Sequence, residues 1–217
     1  VKKYGITYIA DEVVTAFGRL GHWFASEKVF GIVPDIIIFA KGVTSGYLPL
    51  GGYAVSEAFL ASFSGDNAEG CLYSNGYTWG GSPVACAAAL ASWDIIENEH
   101  LLDRVLEIGP YFQQQLQTLL DIPLVGNVRG EGLMAAVEMT IEGHNEADLL
   151  EKDYAIGEMV DQHCQKLGLL VRPFINICII SPPLIVSREQ IDDLVSALRG
   201  GLELTLADLR KQGIWVD

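Results

Sequence analysis

An α/β region running into a smaller α+β region is the fold this chain predicts, on three observations. Two short isoleucine-rich runs, 6–10 and 36–40, bracket a stretch with helical spacing. A glycine-rich loop, 76–82, opens into an alanine-rich segment of helical length. Beyond Ile122 the apolar runs shorten, come in pairs and alternate with two long helical patterns.

Each element has a local reason. Val1-Lys2-Lys3-Tyr4-Gly5 reads as the tail of a helix with its glycine stop, followed directly by a strand. An opening of that kind is expected of the later part of a longer protein. Ile6 to Ala10 and Ile36 to Ala40 have the composition of strands buried on both faces. Trp23 to Phe30 lies between them with helical spacing and ends at Gly31, so the rhythm is strand, helix, strand. That rhythm implies a parallel pair with a right-handed crossover. Gly51 to Val55 is a third candidate strand.

Pro83 suits the first turn of a helix over about 84–98, whose Ala85, Ala87, Ala88, Ala89 and Ala91 allow close packing. A second helix is expected over 101–120. In the remaining part, 125–129 and 133–139 read as antiparallel strands, 153–167 as a helix closed by Gly168, and 169–172 and 176–181 as strands. Pro182-Pro183 breaks the pattern. Ser187 and Gln190 have capping-box spacing ahead of a helix over about 188–209. A domain boundary is expected within 100–121 and is drawn between residues 105 and 106. No internal repeat is found.

The composition narrows the function. Half of the 217 residues are hydrophobic, ample for a core or two. The chain has 28 acidic against 14 basic residues, a net charge of −14, which argues against nucleic acid and anionic membrane as partners. No apolar run reaches membrane-spanning length. Cys71, Cys86, Cys164 and Cys178 lack metal-ligand spacing, and His22, His100, His144 and His163 form no paired motif. Buried reduced thiols, a cytoplasmic location and no metal site are therefore expected.

Chemistry concentrates at two positions. Asp11 and Lys41 lie thirty residues apart, each at the end of an apolar run and each ahead of a glycine-containing turn. An acid and an amine presented side by side at strand ends are what a pyridoxal 5′-phosphate (PLP) enzyme requires. The acid keeps the ring nitrogen protonated and the amine forms a Schiff base with the aldehyde. Ligands of open α/β folds sit at this carboxyl edge of the sheet, and a lysine there is drawn toward it with partial burial. Val13 lies two residues past Asp11, on the same face of an extended segment.

Asp11-Glu12-Val13 with Phe17-Gly18-Arg19, Pro34-Asp35 leading to Ala40-Lys41-Gly42, and Gly76-Tyr77-Thr78 with Pro83 and the alanine helix together resemble the class III aminotransferases. The branch acting on amines and omega-amino acids is the most similar, and the resemblance runs from about residue 4 to about residue 205. It implies an aspartate aminotransferase-like fold (PLP fold type I): part of the large, mainly parallel-sheet domain over 1–105 and the small C-terminal α+β domain over 106–217. It implies a PLP-dependent transaminase moving an amino group from an amine or omega-amino acid to a keto acid such as pyruvate.

Residue by residue, the resemblance makes Asp11 the partner of the ring nitrogen and Lys41 the Schiff-base lysine and proton carrier. Val13 becomes the small branched side chain against the ring. Thr78 becomes a phosphate contact to the neighbouring subunit's cofactor, hence a homodimer or dimer of dimers with shared sites. Arg172 becomes the anchor for a substrate carboxylate. Glu12 reads as structural, while Trp23 and Tyr47 are minor candidates for the pocket wall. Departures from the pattern are Ala16 and Leu20, where glycine and threonine are usual, and Asn75 and Trp79, where histidine and tyrosine are frequent. The family segment carrying the other phosphate contacts and the ring-stacking aromatic normally precedes residue 1. An aminomutase or decarboxylase on the same fold, or a non-catalytic chain, are the alternative readings.

Overall fold

The computed structural model describes residues 1–63, 75–140 and 146–215, the side chains of 146–150 excepted. Cys71 and His144 lie outside the described residues. The chain divides into two compact units, Val1–Asp103 and Arg104–Asp217.

In the first unit a 3-10 turn, Lys2–Tyr4, stops at Gly5, whose left-handed φ of 63° suits glycine. Strand β1 then covers Ile9–Asp11 and β2 covers Ile36–Phe39. They pair in parallel, with Ile9 opposite Ile36, Ala10 opposite Ile37 and Asp11 opposite Ile38. Asp35 sets the start of that register: its Oδ2 accepts the Tyr8 N–H at 2.8 Å, and its own N–H donates to the Tyr8 carbonyl at 2.9 Å.

The helix expected over 23–30 shrinks to one turn, α1, Ala25–Lys28. Trp23 and Phe24 are drawn instead into an aromatic cluster described below. Strand β3, Gly52–Val55, pairs with β2 antiparallel, so this sheet is mixed in the order β1-β2-β3. Gly52 lets Phe39 lie against the backbone: a Cβ there would come within 2.9 Å of the Phe39 ring. The expectation that these strands are buried on both faces does not hold within this chain. Ile9 is 50% exposed and Ile38 38%, because no described residue covers that face.

A short helix α2, Glu57–Ala61, is capped by Ser56. Helix α3, Pro83–Asn98, starts with proline in its first turn as expected and buries Ala85, Ala89, Ser92 and Ile96 along one stripe. Helix α4 follows over Leu101–Gln117 and tightens into a 3-10 turn, Thr118–Asp121.

The second unit holds a four-stranded antiparallel sheet in the order β4-β5-β7-β6. Its strands are β4 Val125–Glu131, β5 Met134–Met139, β6 Arg172–Phe174 and β7 Ile177–Ile180. The strand expected over 169–172 is displaced toward the C-terminus, because Arg172 to Phe174 find partners on β7 and Leu169 instead closes the end of a helix. That helix is α5, Glu146–Lys166, longer than the 153–167 expected.

Alternation drives Ala135, Val137 and Met139 of β5, and Cys178 and Ile180 of β7, into a core completed by Phe112, Ile156, Val160, Ile191, Leu198 and Leu202. Helix α6, Arg188–Lys211, carries the complete capping box: Ser187 Oγ accepts the Gln190 N–H at 3.2 Å, and Gln190 Oε1 accepts the Ser187 N–H at 3.0 Å. It crosses α5 where Gly201 lies against Cys164. Burial pushes the Cys164 thiol up to about 11 and the Cys178 thiol up to about 12. Cys86 is only half-buried. Among the described residues no helix is long and apolar enough to cross a membrane, and no group of His, Cys, Asp and Glu has the arrangement of a metal site.

Candidate active site

The β1–β2 register brings the two chemical positions to one edge. Asp11 is the last residue of β1 and sits opposite Ile38. Lys41 lies three residues beyond Ile38, so both emerge at the carboxyl end of a parallel pair. Burial differs sharply from neighbour to neighbour here: Ala10 is buried, Asp11 exposed, Glu12 buried and Val13 half-buried. Asp11 faces out at the end of the strand, and Val13 lies in the turn that follows.

Glu12 points the other way and is 2% exposed. Its Oε2 accepts from Thr15 Oγ1 at 2.8 Å and from the Ala25 N–H at 2.8 Å. Its Oε1 accepts from the Ser26 N–H at 2.7 Å and from Ser26 Oγ at 2.5 Å. Burial alone would raise its pKa. The hydrogen bonds from the Ser26 hydroxyl, the Ala25 and Ser26 amides and Thr15 outweigh it and hold the carboxyl below its ordinary value. Glu12 thus closes the 13–24 loop onto α1, and its own N–H donates to the Ile38 carbonyl at 2.8 Å, extending the strand pair past Asp11.

Lys41 opens a 3-10 turn, Lys41–Thr44, and has a φ of 43°, in the left-handed region that non-glycine residues seldom occupy. It is exposed rather than partly buried, since no described residue closes over this edge. Behind it lies a cluster of five aromatic rings. Phe17, itself at φ 58°, stands 5.6–6.3 Å from Trp23, Phe24, Phe39 and Trp93. Trp23 is therefore committed to this cluster, whereas Tyr47 is 85% exposed.

The donor set suits PLP. Asp11 Oδ1 accepts the Val13 N–H at 3.0 Å, and Oδ2 has no partner among the described residues, leaving a carboxylate oxygen for a protonated ring nitrogen. Lys41 presents a primary amine with no ion pair among those residues. Thr78 is exposed in the turn ahead of α3, whose Gly80 N–H closes on the Tyr77 carbonyl at 2.9 Å. No hydrogen bond joins Thr78 to Asp11, Val13 or Lys41 among the described residues. Arg172 belongs to the second unit, exposed on β6 opposite Ile179. Sequence reasoning read Glu12 as structural without naming its partners, and missed Trp93 altogether. The partners of Glu12 lie across a loop and left no local signal, whereas a lone tryptophan in an alanine-rich helix was the one signal for Trp93.

The family model for class III aminotransferases matches residues 1–202, and the chain belongs to that family. Its fold is the fold type I architecture of those PLP-dependent transaminases. The chain is 39% identical over 206 residues to the putrescine–pyruvate aminotransferase of Pseudomonas aeruginosa, covering 94% of this chain and 44% of that protein. It is 39% identical to the chloroplastic gamma aminobutyrate transaminase 3 of Solanum lycopersicum, covering 90% of this chain and 37% of that protein.

Among solved structures, an (S)-enantioselective omega-transaminase from Thermomicrobium roseum superposes with a TM-score of 0.82 at 38% identity, covering 94% of this chain and 45% of that one. A PLP-bound amine transaminase from an uncultivated Pseudomonas species superposes with a TM-score of 0.83 at 36% identity, covering 94% and 46%. The chain thus spans somewhat less than half the length of these relatives.

Proposed function

We propose that this chain carries the lysine-bearing part of a PLP-dependent transaminase that passes an amino group from an amine or omega-amino acid to a keto acid such as pyruvate. One observation supports the reading most: the register of β1 on β2 puts the Asp11 carboxylate and the Lys41 amine at the same strand edge. The relatives' names, which include putrescine, pyruvate and gamma-aminobutyrate, support the substrate class.

PLP, when bound, supplies an electron sink for the carbanion left when a substrate Cα–H bond breaks. In this reading the chain's own residues do the rest. Asp11 Oδ2 accepts a hydrogen bond from the protonated ring nitrogen and keeps that proton in place. Lys41 would be the attachment point, and its Nζ, once freed by the amino donor, would be the base that takes the substrate's Cα proton and holds it for return. Val13, half-buried beside Asp11, packs against the ring. The Thr78 hydroxyl holds the phosphate of a neighbouring subunit's cofactor, which makes the assembly a homodimer or a dimer of dimers. The Arg172 guanidinium receives a substrate carboxylate through two parallel hydrogen bonds. Residues 1–105 form the closing portion of the large domain and 106–217 the small domain. The free, buried thiols of Cys164 and Cys178 support a cytoplasmic location.

The test is covalent trapping in the full-length protein. Borohydride reduction of the PLP-loaded protein should add the cofactor's mass to the peptide containing Lys41. Lys41→Ala should lower turnover with pyruvate and an omega-amine more than about 1,000-fold. A label on another lysine, or retained turnover in the variant, overturns the reading.

A further inference from the structure

We infer that Trp93 is a positioning residue for Lys41, acting through the turn that carries it; the inference rests on the role proposed above for Lys41. The backbone of Lys41 sits at φ 43°, a conformation that persists only where surrounding contacts enforce it. Hydrogen bonds within the turn are local: the Ser45 N–H donates to the Gly42 carbonyl at 3.1 Å, and the Gly46 N–H to the Lys41 carbonyl at 3.3 Å. They shape the turn but attach it to nothing.

The attachment comes from α3. The Trp93 indole Nε1–H donates to the Val43 carbonyl at 3.1 Å, and Ser92 Oγ meets Ser45 Oγ at 2.6 Å. Val43 is two residues from Lys41, so the indole holds the turn at its middle and the serine pair at its end.

The same indole reaches the other arm of the site. Its ring stacks on Phe17, with centroids 5.8 Å apart and planes 20° from parallel. Phe17 belongs to the loop that leaves Asp11, and it packs on the Lys41 turn directly: a Cβ at Gly42 would come within 3.0 Å of the Phe17 Cβ. One side chain therefore ties the Asp11 loop and the Lys41 turn to a single helix. Nothing in Trp93 touches the reacting atoms. Its work is to keep amine and carboxylate in one fixed relation, the kind of support on which bound geometry depends.

The test removes the indole donor and leaves a ring. In Trp93→Phe, amide hydrogen exchange at Ser45 and Gly46 of the cofactor-free protein should accelerate about tenfold, while exchange in the second unit stays unchanged. PLP affinity should weaken about five- to tenfold, the equivalent of one neutral hydrogen bond. In turnover, kcat should fall by a similar factor with KM for the amino donor held within about twofold.

Ser92→Ala removes the second tie without touching the ring cluster, and should accelerate the same two amides. It serves as the test if Trp93→Phe does not fold. Unchanged exchange at Ser45 and Gly46 in both variants overturns the inference, as does a stability loss spread evenly over the protein with PLP affinity intact. If the unaltered protein fails to bind PLP, the transaminase reading falls, and the exchange measurement still decides whether Trp93 holds the turn.

Discussion

The two units of this chain hold themselves together by different means. Every residue of the main apolar core, from Val105 to Leu209, lies in the second unit. There the alternating faces of β5 and β7 and the stripes of α4, α5 and α6 close over one another, and burial dominates. The first unit buries few large side chains and leaves Ile9, Tyr53, Leu90 and Ile95 half or more exposed. Its order comes from particular ties: the Glu12 carboxylate, the Trp93 indole, the Asp35 side chain and one aromatic cluster. The unit that carries Asp11 and Lys41 is thus held by few, directional contacts. Apolar burial has many small contributors and degrades gradually, whereas a directional tie is lost whole when one atom changes.

Three substitutions sharpen that contrast. The largest effect is expected from Phe112→Ala, since Phe112 is fully buried in the second unit's core. It should cost about 3–5 kcal/mol, read from urea unfolding, through lost transfer energy and the cavity left behind. A loss below about 1 kcal/mol breaks the claim that burial dominates this unit.

Glu12→Gln comes next. All four partners of Glu12 are donors, so one amide N–H₂ must face a donor, at a cost of roughly 2–3 kcal/mol. The pH dependence has a definite sign. The folded pKa of Glu12 is lowered, so its stabilisation is present above the ordinary glutamate pKa of about 4.3 and is lost as pH falls through the lower folded value. Unfolding measured down an acid series should show this loss in the unaltered protein and a flatter curve in Glu12→Gln. Parallel curves would remove the charged tie from the account.

The smallest effect is expected from Ser187→Ala. Its capping box sits at the start of a helix whose face is already deep in the core, so the loss should be about 1 kcal/mol, seen as a small drop in thermal midpoint. A loss as large as that of Phe112→Ala would mean that directional contacts govern the second unit too.

Much of the fold was legible in residue order. The capping box at Ser187 and Gln190, Pro83 at the start of α3 and the glycine stop at Gly5 are local signals, and each structure formed where its residues stood. The shortened α1 and the displaced β6 were not legible. In both, a partner distant in sequence outbid local spacing: the Phe17 ring drew Trp23 and Phe24, and β7 took Arg172 to Phe174. At the site, the positions of Asp11 and Lys41 were readable as ends of apolar runs. The burial of Glu12 and the reach of Trp93 to Val43 were not, because they depend on loops closing across 14 and 50 residues.

The sequence by itself determined the family, the strand–helix–strand order and the residue types offered for chemistry, since motifs and periodicity are properties of residue order. Only the tertiary structure decided that β1 sits on β2 with Asp11 opposite Ile38, so that carboxylate and amine leave by one edge. It alone decided that Lys41 lies in a left-handed turn held from α3. The physical reason is that strand register and hydrogen bonds between distant segments are set by which surfaces exclude water together, and no local window of sequence contains both partners.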